Sequence, residues 1–175
     1  MDHPLHLSIG NEVKRQINGS VSLVRDEACG GSQHIPLFCG TERSRVTQLC
    51  KVDLLVIKSD RVSVIMEIEE SGFNPTKICG KFLTSAIATH FIHDSERNHV
   101  IPYDEKVLFV QVLDGSKFLK PGTSKRKQGE LIATEIGRQL PLKASHIAEY
   151  RLFIVDGVQD TAGIKKIGQT VADFV

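Results

Sequence analysis

Three carboxylates, Asp53, Glu67 and Glu69, sit inside two otherwise apolar runs of the stretch VDLLVIKSDRVSVIMEIEE. The runs 51–57 and 61–69 are rich in Val, Ile and Leu, and the KSDR between them has turn composition, so they predict an antiparallel hairpin. Side chains alternate along a strand, which puts Glu67 and Glu69 on one face. If Ser59, Asp60 and Arg61 form a three-residue loop, Asp53 stands opposite Glu67 on that face. Three carboxylates at cross-strand spacing repel one another unless a cation neutralises them. Hard oxygen ligands of this kind suit Mg²⁺ or Mn²⁺. Glu70 points the other way and is the weakest ligand of the group. The alternative is a solvated outer face of an edge hairpin, against which stand the apolar neighbours Leu55, Ile57 and Ile65.

The elements that must hold this hairpin follow from periodicity. Ile9, Val13 and Ile17 recur at four-residue intervals and predict a helix over 7–17, capped near Ser8 and carrying Glu12. A short strand over 21–24 follows, then a Gly-, Ser- and Pro-rich loop over 29–40 suited to recognition. From Glu42 the chain reads as strand into the hairpin, with Arg43 and Arg45 just upstream. Asn74 as N-cap and Pro75 at the first position open a helix predicted to run to Ile92. Residues 106–113 (KVLFVQVL) read as a buried central strand. The segment 117–128 is a basic loop carrying Lys117, Lys120, Lys125, Arg126 and Lys127, and a helix over 130–140 ends at Pro141. A strand over 150–155 and a helix over 164–175 complete a mixed α/β sheet flanked by helices.

Composition bounds the rest. A chain of 175 residues with 41% hydrophobic and 25% charged residues and a net charge of +1 reads as one domain, residues 1–175, with a core large enough to need no staples. No apolar run reaches membrane-spanning length, and the opening residues show neither the basic nor the apolar part of a secretory leader, so a cytoplasmic protein with no membrane partner is expected. Cys29, Cys39, Cys50 and Cys79 contain no CxxC pair, and buried free thiols are expected. A metal loop of Cys29, His34 and Cys39 is the alternative. His90 and His93 read as a partly buried pair near a helix C-terminus rather than as ligands.

The pattern Asp53-x13-Glu67-x-Glu69, on a hairpin preceded by a helix and followed by a helix and a strand, resembles the PD-(D/E)xK nuclease superfamily. The resemblance covers roughly residues 12–113 and implies a restriction-endonuclease-like fold. It implies that Asp53, Glu67 and the carbonyl of Ile68 bind a Mg²⁺ (or Mn²⁺) ion and that Glu12, with Glu42 as its rival, is the helix acid. The expected lysine is replaced by Glu69, as in type II restriction enzymes with a Glu-x-Glu motif, and Val52 replaces the proline. Glu69 would then position or deprotonate the attacking water, unless Lys77 or Lys81 on the next helix supplies a displaced cation. The implied activity is a Mg²⁺-dependent DNA endonuclease of type II restriction kind, working as a homodimer. Alternatives are an inactive nucleic-acid-binding or interaction module and a structure-specific repair nuclease. Arg43, Arg45, Lys117, Lys120, Lys125, Arg126 and Lys127 are the candidate DNA-phosphate contacts, or else a solvated basic surface.

Overall fold

The computed structural model describes residues 3–93, 99–118 and 123–175. Lys120 lies outside them. In chain order the elements are α1 (Pro4–Gln16), β1 (Val21–Arg25), β2 (Pro36–Phe38), β3 (Gln48–Lys51), β4 (Leu54–Lys58), β5 (Arg61–Glu69), α2 (Pro75–Ile87), β6 (His90–Ile92), β7 (Val100–Asp114), a short 3-10 helix (Gly115–Phe118), α3 (Lys125–Gln139), β8 (Ile147–Val155) and α4 (Thr161–Phe174). This is the mixed α/β sheet flanked by helices that the sequence predicts. Among the described residues no helix is long and apolar enough to cross a membrane.

The sheet runs β1-β4-β5-β7-β6-β2-β3, with β8 paired to β7 as a branch. β1, β4 and β5 pair antiparallel, whereas β5, β7 and β8 are parallel. β7 is long enough to serve two ladders, pairing with β6 through Val100–Pro102 and with β8 from Val107 onward. Because strand side chains alternate, β5 feeds two cores. Ile65 with Leu55 and Phe109 meets Phe82 of α2 and Ile136 of α3. Val64, Met66 and Ile68 with Leu54 and Val110 meet Leu5, Ile9 and Val13 of α1 and Ile164, Ile167 and Val171 of α4. Phe109 stacks on Tyr150 at 5.9 Å between ring centroids and meets Phe82 edge-on at 5.6 Å, which locks the α2 side.

The hairpin reaches its expected register by another route. The turn has two residues, Ser59 and Asp60, both at positive φ (50° and 59°), as a tight hairpin turn matched to strand twist requires. Lys58 therefore pairs with Arg61 and Ile57 with Val62, but Val56 pairs with Val64, leaving Ser63 as an extra residue in β5. The shorter turn and the bulge cancel. Continuing the ladder beyond Leu54 and Met66 sets Asp53 opposite Glu67.

Several boundaries differ from the sequence reading. α1 begins at Pro4, whose fixed φ suits the first helical turn, and no Ser8 cap forms. The predicted 29–40 loop contains β2, and the stretch from Glu42 stays irregular until Gln48. α2 is capped as predicted, with Asn74 Oδ1 accepting from Lys77 N at 3.2 Å, but ends at Ile87. His90 therefore lies on β6 and His93 just beyond it, so they are not a helical pair. A short apolar run such as Thr-His-Phe-Ile fits helix and strand periodicity alike, and pairing with β2 and β7 decides it. α3 starts at Lys125, five residues before the prediction, turning the end of the basic loop into a helical turn. All four cysteines are free, with Cys29 buried but Cys39 and Cys79 exposed, so the expectation of buried thiols holds only in part.

Candidate functional site

At the break between β3 and β4 the chain leaves the ladder for Val52 and Asp53. Asp53 N donates to the Met66 carbonyl at 3.2 Å, and Asp53 Oδ2 accepts from Ile68 N at 2.6 Å. The backbone groups of Met66 and Ile68 thus face Asp53. A strand residue directs its N–H and C=O to the same side, so the Ile68 carbonyl points to this edge as well.

Glu67 is 1% exposed, and across the parallel ladder its neighbour is Gln111. Lys81 reaches it from the second turn of α2, with Nζ 2.6 Å from Glu67 Oε2. Burial, followed by the nearby Asp53 carboxylate, pushes the Glu67 carboxyl up to about 8, despite Lys81. Burial also raises Asp53, against the pull of Lys81 and the Ile68 amide. Burial disfavours the Lys81 charge, but Glu67 and Asp53 together outweigh it and hold the ammonium protonated. One half-buried cation faces the buried Glu67 and the half-buried Asp53, so the cluster retains a proton where ordinary carboxylates have lost theirs. Among the described residues Glu67 Oε1 has no hydrogen-bond partner, and neither has Gln111 Nε2, whose amide is oriented by Tyr150 Oη donating to Gln111 Oε1 at 2.8 Å.

Glu69 shares the face of Glu67 but takes other partners. Its carboxylate is ion-paired with Lys77 and accepts from Ser71 N at 2.9 Å. Burial would raise it, but Lys77 and Ser71 outweigh burial and hold it below the usual carboxylate range. The expected three-carboxylate cluster is therefore corrected to a pair: Asp53 and Glu67 meet, while Glu69 belongs to Lys77. Among the described residues Asp53, Glu67 and Glu69 form no trio at ligand spacing, and neither do Cys29, His34 and Cys39; His3, His6 and Glu70 do. Glu70 faces away from Glu69, and its Oε1 accepts from His6 N and lies 2.9 Å from His6 Nδ1.

Glu12 is not brought into the site. Its carboxylate is held by Arg15 Nη2 at 2.6 Å and Gln16 Nε2 at 2.8 Å, and its stem packs toward Gly168 of α4. The α1 residue that does reach the site is His6, with Nε2 3.7 Å from Asp53 Oδ2. Six residues separate the two, a rise of roughly 9 Å along a helix. Glu42 is exposed on the loop between β2 and β3. Sequence reasoning missed His6 and Gln111. A weak signal existed for each: His6 directly follows Leu5, the first residue of the buried α1 stripe, and Gln111 interrupts the apolar run of β7.

The basic residues divide into two groups. In the parallel register Glu69 aligns with Leu113 and Leu113 with Ile154, so the ends of β5, β7 and β8 form one edge. Lys117 on the 3-10 helix and Lys125, Arg126 and Lys127 on the first turn of α3 stand at this edge with the acidic pair. Lys117 lies 3.9 Å from Asp114, and Arg126 is bound to Asp156 at 2.7 Å. Arg43 and Arg45 are exposed on the loop before β3, ten and eight residues upstream of Asp53. No family model, curated protein or solved structure matches the chain.

Proposed function

We propose that this protein is a metal-dependent deoxyribonuclease of the PD-(D/E)xK kind, hydrolysing phosphodiester bonds with Mg²⁺ or Mn²⁺. One observation carries the reading: Lys81 of α2 delivers to Asp53 and Glu67 the ammonium that the Glu-x-Glu motif lacks at position 69. The acid pair and its cation are then complete, assembled from the break before β4, from β5 and from α2.

The donor set fits a hard divalent ion. Glu67 Oε1 is a buried acceptor without a partner, Asp53 stands beside it, and the Ile68 carbonyl is directed to the same edge. These three groups would hold the ion, with Gln111 as a neighbouring donor toward a bound anion. A divalent ion there stabilises charge developing on the phosphoryl and leaving oxygens and lowers the pKa of a water. Lys81, 24% exposed, can orient that water or a phosphate oxygen while its charge is secured by the two acids. Glu69 is engaged by Lys77 and Ser71, so we assign water positioning to Lys81 rather than to Glu69. Ligands of open α/β sheets bind at the carboxyl ends of parallel strands, and the basic turn of α3 lies at that edge to meet a polyanion. Cleavage of both strands at a twofold-symmetric site by a homodimer is the restriction-type form of the proposal.

The test is incubation of plasmid, single-stranded and branched DNA with the protein and Mg²⁺ or Mn²⁺, alongside Asp53→Ala. Discrete plasmid fragments, lost in Asp53→Ala while DNA retention persists, support a restriction-type nuclease. Cleavage of branched DNA alone reassigns it to repair-type substrates. DNA binding without cleavage of any substrate sinks the enzyme reading and leaves a binding module.

A further inference from the structure

The face of the sheet opposite α2 carries a second, differently composed cluster. His3 and His6, at the start of α1, lie with Glu70 so that one ligand atom from each falls within 4.8 Å of the others. The two imidazoles meet edge to face, with centroids 5.1 Å apart. The cluster opens onto a groove of about 670 Å³ that His3 lines together with Asp26, Glu27 and His34, and no lysine or arginine is among its described lining residues. The two faces therefore differ in kind. On the α2 side Lys81 and Lys77 neutralise Glu67 and Glu69. On the α1 side Glu70, Asp26 and Glu27 surround imidazoles, with Asp53 3.7 Å from His6.

We propose that His3, His6 and Glu70 form a binding site for a borderline divalent ion of the Zn²⁺ or Co²⁺ class, separate from the oxygen-donor centre at Asp53 and Glu67. Two imidazoles and one carboxylate are a zinc ligand set with a fourth position left for water. Imidazole selects for Zn²⁺, Cu²⁺, Ni²⁺ or Co²⁺ over Mg²⁺. Tetrahedral zinc with bonds of about 2.0–2.1 Å sets its ligands roughly 3.3 Å apart. His6 Nδ1 and Glu70 Oε1 stand at 2.9 Å and need only open slightly. The widest separation must close by roughly 1.5 Å, which rotation of the exposed His3 side chain supplies. Ion binding also engages the imidazole beside Asp53, so the second site neighbours the first.

The experiment is a Co²⁺ titration of the chelator-treated full chain, followed by visible absorption, with Zn²⁺ calorimetry in parallel. The wild type should take up one equivalent with the absorption of a low-coordinate nitrogen–oxygen site, distinct from the weak absorption of any Co²⁺ held by the oxygen donors at Asp53 and Glu67. His3→Ala and Glu70→Gln should weaken it by more than the roughly 10–100-fold that losing a mere outer-shell partner costs. Glu67→Gln, which disables the other centre, should keep it, as should the double variant Cys39→Ser, Cys79→Ser. His3 is exposed, so its replacement leaves the fold intact, and thermal melting without metal checks this. Equal affinity in wild type and His3→Ala overturns the proposal. So does loss of binding in the cysteine variant, which assigns the ion to thiols, or no binding by the wild type. None of these readouts depends on nuclease activity.

Discussion

Glu67→Gln should make this protein more stable at pH 8 and leave it nearly unchanged at pH 5. The Glu67 carboxyl titrates at 4.5 in a solvated chain and at about 8 in the fold, where it is 1% exposed. A folded state that holds a proton more tightly than the unfolded chain loses stability as pH rises from the unfolded value to the folded one. At 1.36 kcal/mol per pH unit between the two values, the full penalty is about 5 kcal/mol, reached above pH 8. About 3–4 kcal/mol of it develops between pH 5 and pH 8. Glutamine fills the same space and cannot ionise, so it removes this pH-dependent term. The pull of Lys81 is already contained in the folded value of about 8, and the amide oxygen of glutamine still accepts from the ammonium. The net gain at pH 8 should be about 3 kcal/mol. Urea unfolding of both proteins at pH 5, 6, 7 and 8, extrapolated to water, measures it. A stability difference that stays flat with pH, or that turns against the glutamine as pH rises, would refute the reasoning, because Glu67 would then be an ordinary ionised partner of Lys81.

Lys81→Met should reduce cleavage by about 100-fold or more, on the scale of one lost general acid–base or positioning group, whereas Lys77→Met, whose side chain is nearly half exposed, should change it far less; single-turnover rates separate the two. Binding of Mn²⁺ at Asp53 and Glu67 must release the proton that their raised carboxyls share, so the affinity should climb by up to tenfold per pH unit well below about 8, flatten near it and level off above. Calorimetry in buffers of different ionisation enthalpy counts that proton. Phe109→Ala, which empties the centre of the Phe82–Phe109–Tyr150 stack, should destabilise the fold by about 3–5 kcal/mol in urea unfolding.

Local chemistry made much of this molecule legible from its sequence. Asn74 and Pro75 specify where α2 begins, and the continuous apolar run of β7 marks a strand buried on both faces. Alternation along β5 puts Glu67 and Glu69 on one face and Glu70 on the other, whatever the rest of the fold does. Tertiary structure decided which partners those side chains meet. Asp53 faces Glu67 because a two-residue turn and a bulge at Ser63 offset one another, and only the completed ladder reveals that. Glu69 left the expected cluster and Lys81 entered it because α2 packs across the sheet with Lys77 and Lys81 one turn apart above β5. His6, not Glu12, reached the site because the position where α1 crosses β5 depends on its packing against α4. Periodicity tells a side chain which face it shares, but the distance between two side chains far apart in sequence is settled only when the elements that carry them pack.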